Sequence, residues 1–139
     1  MSAAAFASLE WAIVPGPAVL PEPIFPSDAR CGQIVEYSPE QVADAFAGIA
    51  AVTVEPCPDP DWWSWQATYR GTRDLIELEM TLYDTEPPLW GGTGLSGVTD
   101  ACDLLALWRK VLRRLPSTYL HSTEARLYSV AAFSEAFIR

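Results

Sequence analysis

The chain has little positive charge: nine Lys and Arg residues stand against 18 Asp and Glu among 139 positions, for a formal net charge of −9. The imbalance is uneven. Residues 1–69 hold nine acids against Arg30 alone, whereas residues 107–139 hold six basic groups and two acids. A surface of this sign repels nucleic acid and steers a basic partner towards it. His121 is the only histidine, and the three cysteines (Cys31, Cys57, Cys102) stand far apart with no C-x-x-C. A structural zinc site needs four Cys/His ligands in close pairs, so no metal or other cofactor is expected. The cysteines read as reduced, mostly buried thiols. No apolar run approaches the roughly 18 residues of a membrane span. The first residues lack the basic start of a secretory signal, and Glu10 and Pro15 interrupt the apolar stretch. A cytoplasmic protein without membrane contact is expected.

What the chain does have is apolar content, at 50% of residues, and length for one sizeable core. Residues 1–139 read as a single domain: a proline-rich extended arm over 15–37, then a compact core over 38–139. Pro15, Pro17, Pro21, Pro23 and Pro26 exclude helix from the arm. Leu9 to Val14 reads as a short strand before it. Ser38-Pro39-Glu40-Gln41 has the form of a helix start, with Ser38 as N-cap, Pro39 at the first helical position and Gln41 completing a capping box. That helix should run to about Ala50 and bury Val42, Ala45, Phe46 and Ile49. Val52 to Glu55 reads as a strand. From Trp62 to Arg70 the side chains alternate, with Trp63, Trp65, Ala67 and Tyr69 on one face and Trp62, Ser64, Gln66 and Thr68 on the other. A turn at Gly71 leads into Leu75 to Tyr83. There Ile76, Leu78, Met80 and Leu82 should face the core, with Glu77, Glu79 and Thr81 outward.

The longest helical pattern is Val98 to Leu115. Val98, Cys102, Leu105, Trp108, Leu112 and Leu115 form its stripe, widened by Leu104, Leu107 and Val111, and Pro116 stops it. A further strand falls within Thr118 to Val130, and a short helix starts near Phe133. The pattern is α+β: an antiparallel sheet of four to five strands with two or three helices packed on one face.

Several constellations invite chemistry. Gly92-Thr93-Gly94-Leu95-Ser96-Gly97 matches G-x-G-x-x-G ahead of a helix, the outline of a dinucleotide site. Its context is wrong for one. Seven residues including Pro87-Pro88 lie between Tyr83, at the end of the preceding strand, and Gly91; no acid stands about 20 positions on, and Asp84, Glu86, Asp100 and Asp103 would repel a pyrophosphate. The loop reads instead as a flexible lead-in to the helix that places Trp90 at a surface. A Cys–His nucleophile pair would have to use His121, which sits alone on a strand and reads as structural. Glu77 and Glu79, at i, i+2 spacing, lie about 7 Å apart on one strand face. That geometry suits paired-carboxylate chemistry, but a solvated or partner-facing acidic surface explains it more simply. Arg109, Lys110, Arg113 and Arg114 cluster in the last turns of the long helix, where they complement its dipole.

The segment Asp59-Pro60-Asp61-Trp62-Trp63-Ser64-Trp65 gathers three of the six tryptophans beside two carboxylates. Trp63 and Trp65 belong to the core by alternation. Asp59, Asp61 and Trp62 are left for a surface, where an aromatic anchor flanked by carboxylates is the composition of an interaction hot spot. In size, acidity and α+β pattern, together with this acidic-aromatic segment, the chain resembles the immunity proteins of bacterial toxin systems. The resemblance implies a non-enzymatic protein that binds a cognate toxin, basic and nuclease-like, and occludes its active site. The contact residues expected on this reading are Asp59, Asp61, Trp62, Glu77, Glu79, Asp84, Glu86 and Trp90. A small enzyme or ligand-binding domain using the Gly91–Gly97 segment is the alternative, and a phage or adaptor interaction protein is a third.

Overall fold

The computed structural model describes residue 6 and residues 9–17, 34–56, 65–83, 85–123 and 126–138. Most of the proline-rich arm, the run from Asp59 to Ser64, and Asp84 lie outside the described residues. The chain folds as α+β, with one seven-stranded antiparallel sheet and three helices among the described residues. The strands are β1 (Trp11–Pro15), β2 (Val52–Pro56), β3 (Trp65–Arg70), β4 (Leu75–Tyr83), β5 (Leu89–Ser96), β6 (Thr118–Ser122) and β7 (Leu127–Tyr128), in the spatial order β2-β3-β4-β5-β1-β6-β7. The helices are α1 (Pro39–Ala47), α2 (Ala101–Leu112) and α3 (Val130–Phe137). No helix among the described residues is long and apolar enough to cross a membrane.

Strands β2 to β5 form a meander, and β1 then slots between β5 and β6. Two strands exceed the four to five expected from sequence. One is the two-residue β7, too short to leave a pattern. The other is β5, which the glycines disguise: Gly91 to Gly97 is no flexible lead-in, because Leu89–Ser96 pairs with both β4 and β1. The β4–β5 register shifts between Thr81 and Leu82. Gly92 takes φ 139° opposite Thr81, beside this irregularity, a conformation that a Cβ disfavours.

Local chemistry sets the helix limits. The capping box of α1 forms as its sequence dictates: the Gln41 N–H donates to Ser38 Oγ at 3.2 Å, and the Ser38 N–H donates to Gln41 Oε1 at 2.9 Å. Val42, Ala45, Phe46 and Ile49 are all buried. The helix α2 is shorter than the apolar stripe, because Asp100 caps it and accepts from the Cys102 and Asp103 N–H groups. Its buried face centres on Leu104, Leu107, Trp108 and Val111. Cys102 is exposed, contrary to the buried position expected for it. Inward side chains of every strand from β1 to β6, Tyr128 of β7 and all three helices merge into one core, so the helices cover a single face of the sheet. Trp11, Tyr128, Phe133 and Phe137 stack at its α3 end with centroid separations of 5.1 to 6.3 Å.

Two buried aspartates join sheet and helix. The carboxylate of Asp103, on the first turn of α2, accepts from the Thr72, Arg73 and Asp74 N–H groups in the β3–β4 turn at 2.7 to 3.1 Å. Asp74 answers from the turn. It accepts from the Thr99 and Asp100 N–H groups at 2.8 Å and from the Thr99 hydroxyl at 2.5 Å. Gly71 admits Asp103 to the turn, since a Cβ there would stand 2.6 Å from Asp103 Oδ2. Burial pushes the Asp74 carboxyl up, but hydrogen bonds from Thr99 and Asp100, with Arg73 nearby, outweigh it and hold the group below its ordinary 3.8.

Replacing Asp103 with Ala strands three backbone donors, one of them fully buried, and should cost about 3 kcal/mol, read from urea unfolding. For Asp74 the folded pKa lies below the unfolded one. Its contribution to stability is therefore complete above pH 3.8 and is lost as pH falls through the lower folded value. Urea midpoints measured between about pH 5 and 2 should fall less steeply in Asp74→Asn than in the parent.

Candidate partner-binding face

The cross-strand register assigns every outward side chain to a row. One row runs Glu55, Gln66, Glu79, Gly94, Ala12, His121, Leu127; the next runs Thr53, Thr68, Glu77, Ser96. No described helix packs on this side. Glu77 and Glu79 point outward and are exposed, as alternation along β4 predicts. Glu55 joins them from the edge strand, two strand spacings or about 10 Å from Glu79. These three carboxylates border a depression of about 240 Å³ with Gln66, Thr68 and Ser96. Among the described residues no ion pair or hydrogen bond engages any of them. Arg70 stands on the same face at the hairpin end, one step along β3 from the partner of Glu77.

Farther along, the face becomes apolar. Tyr83 is 52% and Ile34 47% exposed, an unusual state for large apolar side chains. With Val14, Gly91, His121 and Leu127 they line a second hollow of about 290 Å³. Tyr119 packs with Leu127 and Val14 on this side and donates from its hydroxyl to the Pro17 carbonyl at 2.6 Å. Burial lowers the His121 pKa from its ordinary 6.5, so the ring is neutral at pH 7.

The expected contact residues separate on the structure. Glu77 and Glu79 share the acidic depression, and Glu86 is exposed in the β4–β5 turn at the far end of β4. Trp90 is not at a surface. It is 1% exposed, packs edge-on against Tyr37, and donates from Nε1 to Thr93 Oγ1 at 3.1 Å. The reason is the strand: Trp90 pairs with Leu82 and shares its inward face. Asp59, Asp61 and Trp62, in the connection between β2 and β3, lie outside the described residues, as does Asp84. Sequence reasoning missed Glu55 and Tyr83. The alternation of Val52 and Val54 against Thr53 and Glu55 carries the first signal; Tyr83 ends the outward series Glu77, Glu79, Thr81.

The ends of the helices are already occupied. The N–H groups at the start of α2, which could cradle a phosphate, donate to the side chains of Asp74 and Asp100. In the basic cluster, Lys110 Nζ lies over the Tyr69 ring at 5.1 Å and Arg114 donates to the Gly48 carbonyl at the end of α1. Among the described residues no group of three or more His, Cys, Asp or Glu is arranged to hold a metal ion. No protein family, curated protein or solved structure matches the chain.

Glu77→Gln and Glu79→Gln should leave unfolding free energy within about 0.5 kcal/mol of the parent, since neither carboxylate has a partner among the described residues. Trp90→Ala should cost about 3 to 5 kcal/mol in the same urea titration, as expected for a core residue.

Proposed function

We propose that this protein is an immunity- or antitoxin-type inhibitor: a cytoplasmic, non-enzymatic binding protein that captures a basic bacterial toxin and blocks its active site. The observation that carries the reading is the sheet face opposite the helices, where Glu55, Glu77 and Glu79 are exposed and have no ion pair or hydrogen bond among the described residues. Three carboxylates held within a few strand spacings, with Arg70 at the hairpin end forming no ion pair with any of them among the described residues, repel one another. They gain most when a cationic surface arrives. A toxin that acts on nucleic acid presents such a surface where phosphates bind, so carboxylates on a rigid sheet would occupy the phosphate positions. The net charge of −9 adds long-range attraction. Asp59, Asp61 and Trp62 are proposed as further partner contacts on charge and composition alone. Glu86, exposed in the β4–β5 turn, is proposed as a further contact, and Asp84 is proposed with it on charge alone.

The enzyme or ligand-binding alternative, centred on residues 91–97, draws little from the geometry, since that segment is a paired strand. An adaptor or phage interaction protein would use the same acidic face. Co-expression with the product of an adjoining toxin-like reading frame distinguishes them: the inhibitor reading expects rescue of growth and a stable complex. With that partner at low salt, Glu77→Lys and Glu79→Lys should slow association by about tenfold or more while leaving the thermal midpoint unchanged. Association rates equal to the parent would sink the acidic-face reading.

A further inference from the structure

The glycine-rich segment has a consequence on the outer face that strand pairing does not explain. Strand β5 lies between β4 and β1, and its outward positions are Ser96, Gly94 and Gly92. Gly92 is required by its backbone, but Gly94 is not. It has no positive φ, and a Cβ there would meet nothing nearer than the Glu79 carbonyl at 3.9 Å, an ordinary contact. Glycine inside a strand is destabilising relative to Ala, and it marks places where another backbone comes close. Across the ladder from Gly94 stands Ala12, again with almost no side chain. Between Ser96 at one end and Val14 at the other, Gly92, Gly94 and Ala12 leave a short strip that, among these strand positions, is bare of anything larger than a methyl group. Glu79 borders it on one side and His121 on the other, three strand spacings or about 14 Å apart. One extended chain fits this width. The strip opens at one end beside Glu77 and Ser96, and at the other into the apolar hollow under Tyr83 and Val14.

We propose that this strip over β5 and β1 receives an extended segment of the basic partner, with cationic side chains against Glu77 and Glu79 and an apolar side chain seated in the hollow beside Tyr83. The proposal rests on the reading above that the partner is a basic protein, and adds the form in which it is bound. Spacing along β4 sets the register of the guest. Cations at positions i and i+2 match Glu77 and Glu79. The apolar anchor falls four residues after the second cation, since Glu79 to Tyr83 spans about 13 Å. Charge agrees with this assignment. Among the described residues the strip is bordered by carboxylates that form no ion pair, and His121, the one basic side chain that lines it there, is neutral at pH 7.

The probe is the end-blocked heptapeptide Lys-Thr-Lys-Thr-Gly-Thr-Phe, titrated into the isotopically labelled full-length protein while backbone amide shifts are followed by NMR. Shifts along β4, β5 and β1 are expected. A peptide with Gly in place of Phe should bind at least about threefold more weakly, and one with Glu in place of both Lys should not bind. Gly94→Leu fills the strip and should weaken binding at least about tenfold with the thermal midpoint unchanged or raised. Ala12→Gln, which narrows the strip from the neighbouring strand, should do the same and serves if the leucine variant fails to fold. The proposal is overturned if both variants fold and bind the peptide as the parent does. It is also overturned if shifts map elsewhere or none appear. Should only Glu77→Gln and Glu79→Gln weaken the peptide, the strip fails while the acidic face survives. Charge reversal against the intact partner tests that face separately.

Discussion

The reciprocal clasp of Asp74 and Asp103 determines how the rest of the molecule is arranged. A carboxylate from the helix collects the backbone donors of a hairpin turn, and a carboxylate from that turn collects the donors ahead of the helix. Two negative charges lie close together in a largely buried place, which is tolerable because each is surrounded by N–H groups aimed at it. The hydrogen bonds tie the start of α2 to the β3–β4 turn. With α2 held there, Leu104, Leu107, Trp108 and Val111 are directed onto the inward faces of the strands, and all helical mass goes to one side.

That one-sidedness produces the acidic face. An antiparallel sheet can leave one surface to solvent provided its side chains alternate, and β3 and β4 alternate strictly. The inward series Ile76, Leu78, Met80 is therefore the reason the outward series is Glu77, Glu79, Thr81. Packing and charge presentation are two readings of the same nine residues. The surface is stiff, because each carboxylate stands on a strand paired on both sides or, for Glu55, on an edge strand braced by β3. A stiff array of like charges loses little entropy when a cationic surface meets it.

How much of this was legible depended on whether local chemistry and tertiary context agreed. Ser38, Pro39 and Gln41 specify a helix start through contacts within four residues, and that start is present. The alternation from Leu75 to Tyr83 needs only a sheet with one buried face, and its limits match the strand residue for residue. Where the determinant lay elsewhere in the chain, the reading went astray. Gly91 to Gly97 has no intrinsic preference for a strand; pairing with Trp11 to Ile13, some 80 positions away, makes it one. Once it is a strand, Trp90 must face inward. Asp103 reads locally as a first-turn acid suited to the helix dipole, and only the approach of the β3–β4 turn turns it into a buried acceptor. Of the candidate contact residues, Glu77 and Glu79 were legible because strand parity alone places them. Trp90 depended on a long-range pairing and was not.

The position of β1 has a consequence for the order in which the fold can be completed. The first strand of the chain is an interior strand of the sheet, flanked by partners that come some 80 and 110 positions later: Trp11 lies opposite Leu95 on one side and Ser122 on the other. Until both have been made, the meander β2–β5 and the ribbon β6–β7 are separate pieces with exposed edges. Non-local closure of this kind slows folding and lengthens the time during which unpaired edges are open to other chains. β1, the earliest of the described strands, thus acts as a keystone, and the outer face, whose bare strip includes Ala12, is complete only with it in place.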